Sequence, residues 1–210
     1  MIVVIGSLSL RGSGPAAVVD GLAAGIARSS AGTPVQVVGK IGDDPEGDAL
    51  LVALARAGIG HAAMLRDPVR RTVVVPQPSG EIDVVGDEPT PSTAPVEPAE
   101  ADGGPVLEAA DVRLALQYLT DARVIVAVHA STQILEEVTK AASWAEAHVV
   151  AVVRPGDATP DGLPADALVI AAAVDDAEGV ASRIGQYAAA VARGDDAVAA
   201  YARLTEPETG

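Results

Sequence analysis

Lysine is rare in this chain of 210 residues: Lys40 and Lys140 are the only two. Lys40 belongs to Gly39-Lys40-Ile41-Gly42-Asp43-Asp44, which follows the apolar, β-branched run Val35, Val37 and Val38. A cation among glycines beyond a strand can meet a phosphate, or it can be a solvated loop charge. The Gly-Lys pair is not a P-loop, because no Gly lies five residues upstream and no Ser or Thr follows. Asp43 and Asp44 could take a direct chemical role. Ahead of Pro45 they also read as helix-start residues, with Asp accepting from free N–H groups and Pro in the first turn. A second cluster is Ser9, Arg11, Gly12, Ser13 and Gly14 ahead of Pro15. It could present amides and a guanidinium to an anion, or be a short turn between strand and helix.

The remaining chemistry is sparse. His61, His129 and His148 are too far apart in sequence for metal-ligand spacing. His129 falls at the end of a strand, the best site position of the three, and a hydrogen-bonded structural role competes with a functional one. Asp175, Asp176 and Glu178 cluster at a helix start, where complementing the macrodipole competes with acid/base work. Ser7, Ser9 and Ser13 lie near glycines without a nucleophile-elbow pattern.

The elements that must position these groups alternate. Strands are predicted at 2–5, 35–38, 62–65, 123–128, 149–153 and 167–171, and helices at 15–28, 45–57, 108–119, 131–145, 175–193 and 195–204. Gly39 and Gly42 read as a tight reversal after the second strand, and Gly58 as a helix stop. Alternating residues at 71–76 and 81–85 around Pro78-Ser79-Gly80 signal a hairpin. Residues 86–106 are rich in Pro, Glu, Thr and Ala without periodicity and are expected to form a mobile loop. The order implies one α/β domain over 1–204, an open, mainly parallel sheet with helices on both faces, and a polar tail at 205–210. Ligands of such sheets sit beyond the carboxyl ends of the strands.

Composition excludes several classes. Apolar residues make up 49% and aromatics 2%, with no Phe and no Cys. The core must be Ala, Val, Leu and Ile, and stacking platforms for single-stranded nucleic acid are scarce. A net charge of −15 would repel a phosphate backbone, so no nucleic-acid partner is expected. No apolar run approaches a membrane span, and the N-terminus reads as a strand and not as a signal peptide. Lack of Cys fits a reducing compartment, and a cytoplasmic location is expected.

The stretch 35–59, with Gly39-Lys40-Ile41-Gly42-Asp43-Asp44 leading into an amphipathic helix, resembles the ribokinase/PfkB family of carbohydrate and nucleoside kinases. Residues 5–10 are similar to that family's opening strand, 71–85 to its Val-rich hairpin, and 107–171 to its next βαβαβ run. The resemblance implies a ribokinase-like fold and a cleft for a sugar, nucleoside or nucleotide. It points to Ser9, Arg11, Gly12, Ser13, Gly14, Gly39, Lys40, Gly42 and Asp43 as ligand-binding candidates, with no catalytic or metal-binding residue.

Departures from the family pattern concern its chemistry. The family's sugar-binding Asn and Asp near the first strand correspond to Ser9 and Arg11. Only Gly12-Ser13-Gly14 is expected between strand and helix, so the lid strands are expected to be absent. The family's Asn-x-x-Glu is not matched after the fifth strand. Its Gly-Ala-Gly-Asp, which supplies an anion hole and a general base, has no counterpart; Glu178-Gly179-Val180-Ala181 falls there in one alignment. Phosphoryl transfer rests on positioning and electrostatic stabilisation, so losing base, anion hole and lid together is severe. The expectation is a small-molecule-binding or regulatory homologue. Alternatives are an active minimal kinase using ATP and magnesium, and a structural partner subunit. A homodimer would need a surface other than the lid.

Overall fold

The computed structural model describes residues 1–12, 16–30, 32–76, 103–172 and 177–205. Its centre is a six-stranded, all-parallel sheet in the order β5-β4-β1-β7-β8-β9. These strands are β1 (Ile2–Ile5), β4 (Val35–Gly42), β5 (Gly60–Asp67), β7 (Val124–Val128), β8 (His148–Val153) and β9 (Leu168–Ala171). A second, short sheet has the order β3-β2-β6, from β2 (Ser9–Arg11), β3 (Val18–Asp20) and β6 (Val74–Val75). The helices are α1 (Leu22–Ser29), α2 (Pro45–Arg56), α3 (Ala109–Tyr118), α4 (Thr132–Ala145), α5 (Ala177–Arg193) and α6 (Ala197–Thr205).

Side chains alternate across a strand, so each central strand feeds two cores. Ile2, Val4, Val37, Val126 and Val150 pack with α1, α2 and α5, while Val3, Ile5, Val38, Ile125 and Val149 pack with α3 and α4. Strands buried on both faces explain the near-continuous apolar runs. On the first face α1 and α5 come very close. A Cβ on Gly25 would stand 2.8 Å from the Cβ of Ala181, and one on Gly185 would stand 2.7 Å from the carbonyl oxygen of Ile26.

Three sequence expectations are corrected. The helix expected over 15–28 starts at Leu22, and β3 occupies Val18–Asp20. Val18 is exposed and Val19 buried, an alternation that suits a strand, and Gly21, at φ 104, makes a turn into α1 that L side chains rarely adopt. The bare turn expected between strand and helix is therefore a strand pair. The tight reversal expected at Gly39 and Gly42 is also absent: β4 runs straight through both. These glycines answer to space, since a Cβ on Gly39 would lie 3.1 Å from the Gly6 carbonyl oxygen, and one on Gly42 would lie 2.6 Å from the Thr72 amide nitrogen. Thirdly, Lys40 is no solvated loop charge. It lies within β4, and its side chain is only 16% exposed.

Other expectations hold in outline. Asp44 caps α2 with Pro45 first in the helix, and Gly58, at φ 69, follows its C-cap. Ser131 caps α4. Of the expected hairpin, β6 pairs in parallel with β2. The turn and return strand at 77–85, most of the expected loop at 86–106, Ser13, Gly14, Pro15, Asp175, Asp176 and residues 206–210 lie outside the described residues.

Candidate functional site

The chain winds outward from β1 to β4 and β5, then crosses back to build β7, β8 and β9 on the other side of β1. Loops leaving the carboxyl ends of β1 and β7 therefore diverge, and a crevice opens between them, the usual place for a ligand in an open α/β sheet. A cleft of about 800 Å³ lies there. Its floor is the end of β1 with residues 6–8, its near wall is Lys40, and its far wall is residues 128–131 with Gln133 and Ile134. Residues 103–110, leading into α3, close the side.

Each wall has a local cause. Gly6 lets the strand end between Ala23 and Val128, each 3.1 Å from where a Cβ would stand. His129 takes a left-handed φ of 49, uncommon for a residue with a Cβ, and turns the chain out of β7. Its amide donates to the Val152 carbonyl at 2.8 Å, and its Nε2 lies 3.3 Å from the Ala172 carbonyl oxygen. Ser131 follows and accepts from the Ile134 amide at 3.4 Å, so α4 begins at the rim of the cleft. Ser7, His129, Ser131, Gln133 and Lys40 give it hydroxyl, imidazole, amide and ammonium groups, against Ile5, Leu8 and Val128 as apolar surface. A few polar groups in a mostly apolar concavity is the usual make-up of a small-molecule site.

Lys40 is fixed. Its Nζ donates to Asp111 Oδ2 at 3.0 Å, and the two side chains are 16% and 20% exposed. Asp111 Oδ2 also accepts from the Glu108 amide at 3.1 Å, and the Glu108 carboxylate accepts from the Asp111 amide in return, a reciprocal cap on α3. Glu108, the carboxylate that lines the described cleft, and its neighbour Asp111 are thus engaged. Magnesium takes oxygen ligands and needs a near-octahedral set. The one carboxylate lining this described cleft, Glu108, is committed to α3, its neighbour Asp111 is committed to Lys40, and among the described residues no three His, Asp or Glu side chains gather as ligands. The described cleft does not fit that ion.

The other sequence candidates lie elsewhere. Gly39 stands beside Gly6, against the end of β1. Gly42 belongs to a clamp: Thr72 Oγ1 accepts from its amide at 2.9 Å, and Asp44 accepts from the Thr72 amide and hydroxyl, each at 2.8 Å, and from the Gly47 amide at 2.7 Å. Burial pushes the Asp44 carboxyl up, but those hydrogen bonds, with Arg71 nearby, hold it below the usual carboxylate range. Asp43 is exposed and pairs with Arg66 on β5 at 3.2 Å. Ser9 lies on β2, and Arg11 binds Asp20 across the short sheet at 2.8 Å. Arg11, Arg28, Asp20 and Glu178 line a separate notch. Gly12 donates to the Val75 carbonyl at 3.3 Å. Of the described ligand-binding candidates that the resemblance points to, only Lys40 lines the cleft, together with His129, the histidine placed at a strand end.

Sequence reasoning set Ser7 aside for want of a nucleophile-elbow pattern and missed Glu108, Asp111 and Gln133. The serine and the glutamine carried no spacing signal. Asp111 was readable only as part of a helix start, since its meeting with Lys40 joins positions 71 residues apart.

The fold has known counterparts. A candidate ribokinase II from Escherichia coli, in its apo form, superposes with a TM-score of 0.61 at 14% identity, over 97% of this chain and 90% of that one. A candidate ribokinase from Agrobacterium tumefaciens gives 0.52 at 19% identity, over 95% and 86%. The 2-dehydro-3-deoxygluconokinase of Thermotoga maritima gives 0.51 at 20% identity, over 72% and 50%. The fold is ribokinase-like. No family model and no curated protein matches the sequence. The chain spans about half the length of some structures it resembles, 50% and 56% in two cases. In this ribokinase-like chain, the short second sheet has strands of three, three and two residues, and two of them, β2 and β3, lie in sequence between β1 and α1, where the resemblance puts lid strands.

Proposed function

We propose that this chain is a small-molecule-binding or regulatory protein that holds a sugar, nucleoside or nucleotide in the β1–β7 cleft without transferring phosphate. The observation that carries the reading is the cleft at the switch point, where polar groups from four separate segments converge on one cavity. Three features support the loss of transfer. Glu108, the carboxylate on the described wall, is held by the cap of α3, and its neighbour Asp111 by Lys40, so neither is poised as a base. Glu178, the acid in the first turn of α5, lines the notch with Arg11 and not the cleft. The sequence has no Gly-Ala-Gly-Asp, whose amides and carboxylate would stabilise and initiate transfer.

The test pairs binding with turnover. The purified chain is melted with sugars, nucleosides and nucleotides, with and without magnesium, and each ligand that raises the Tm is assayed for phosphate transfer from ATP. A ligand at a hundredfold excess over its Kd stabilises by about 2.7 kcal/mol. The reading expects a shift with at least one ligand class and no product. A flat response to the whole panel overturns binding, and turnover overturns the loss of transfer.

A further inference from the structure

The cleft has a neighbour. A second hollow of about 400 Å³ lies over the carboxyl ends of β7 and β8, and the segment leaving β8 forms its outer side. The two cavities share His129, Ala130 and Ser131. The left-handed turn out of β7 is thus a partition common to both, and a molecule lying across it enters both.

Their chemistry differs. In the cleft, Lys40 and Glu108 are held by Asp111 and by the start of α3. In the second hollow the charged groups are Arg154, Asp157 and Asp161. Among the described residues, their side chains have no hydrogen-bond or ion-pair partner. Two of them are placed by one turn. Pro155 sets its first corner, Gly156 takes a φ of 89, and the Asp157 amide donates to the Arg154 carbonyl at 3.1 Å. The first and fourth residues of such a turn stand less than about 7 Å apart. A guanidinium and a carboxylate therefore sit side by side on the same hollow, each without a partner.

We propose, resting on the cleft as the binding site, that its ligand is a glycoside of at least two sugar rings. One ring lies in the cleft and the next crosses the His129–Ser131 turn to meet Arg154 and Asp157. A guanidinium only donates, an ionised carboxylate only accepts, and a hydroxyl does both. Neighbouring hydroxyls on one sugar ring satisfy the two together, one accepting from Arg154 and the next donating to Asp157. Such bonds to charged groups are the stronger kind. Thr132 and Thr159 add hydroxyls to the same lining, while Leu135 and Val153 offer apolar surface to the ring carbons. A flat base would be held by stacking, and no Tyr or Trp lines either cavity among the described residues.

The experiment is calorimetric titration of the full chain with glucose, galactose and fructose, with maltose, lactose and sucrose built from them, and with adenosine and uridine. At least one disaccharide should bind roughly tenfold more tightly than either of its free sugars. Arg154→Met and Asp157→Ala, both on an exposed turn, should each abolish that gain while keeping the wild-type circular dichroism. Equal affinity for single and double sugars overturns this inference and leaves the cleft reading standing. So does a disaccharide gain that survives both substitutions. A nucleoside that binds more tightly than every sugar also overturns it, in favour of a base in the second hollow. If no sugar and no nucleoside binds, the cleft reading falls for those ligands, and this inference falls with it.

Discussion

Lys40 and Asp44 are four residues apart in one motif, yet they do opposite work. Lys40 reaches across the mouth of the central sheet to Asp111 on α3 and forms part of the cleft wall. Asp44 turns the other way and binds Thr72 and Gly47, tying the start of α2 to the segment that leads into β6. The part of the sequence that most resembles a kinase is therefore mainly a device for joining the short sheet to the core, with one residue at the site. Such a motif serves the architecture whether or not it serves chemistry, because a clamp of hydrogen bonds is costly to lose in any fold.

Breaking the clamp should give the largest effect. Asp44→Ala removes a helix cap and leaves the Thr72 amide and hydroxyl without their partner. The expected loss is about 3 kcal/mol of unfolding free energy, read by urea titration. Gly42→Ala comes next. Its Cβ would meet the Thr72 amide nitrogen at 2.6 Å and the Arg70 carbonyl oxygen at 2.8 Å, backbone atoms that cannot swing aside. A cost of about 2 kcal/mol is expected in the same titration. If either variant melts like the wild type, the clamp is not what joins the layers.

Lys40→Met sharpens the other half of the contrast. It should weaken a cleft ligand on the order of tenfold by calorimetry while lowering stability by about 2 kcal/mol, because Asp111, only 20% exposed, loses its cation. Equal affinity would remove Lys40 from the site.

The smallest effect is in pH. The Asp44 carboxyl has a depressed pKa in the folded chain, so below its ordinary value the unfolded chain binds more protons, and stability rises with pH through that window. Asp44→Asn still caps the helix but offers a neutral acceptor. Its deficit against wild type should be about 1 kcal/mol above pH ~4 and should shrink as the pH falls through the depressed folded value. A deficit independent of pH down to acid unfolding would mean that the charge at Asp44 does not matter.

Much of the fold was legible because it rests on local signals. Asp44-Pro45 and Ser131 announce helix starts, and Gly58 a stop, through backbone groups that must be satisfied within a few residues. The parallel sheet follows from apolar runs such as 124–128 that have no polar face. The helix expected over 15–28 failed because Val18 and Val19 suit either period, and the pairing of β3 with β2 decided between them. Gly39 and Gly42 were misread because a glycine chosen for close approach and one chosen for a turn look alike in sequence. The site was less legible than the fold. Its walls come from residues 6–8, 40, 103–110 and 128–134, and only strand order brings them together.

The central claim is that the β1–β7 cleft is the binding site, and amide hydrogen exchange tests it most directly. The chain would be labelled with and without the ligand that raises its Tm most. The account predicts added protection at residues 6–8, 107–110 and 129–134, with α6 unchanged. Protection confined to the notch at Arg11 and Glu178, or spread evenly over the chain, would contradict it.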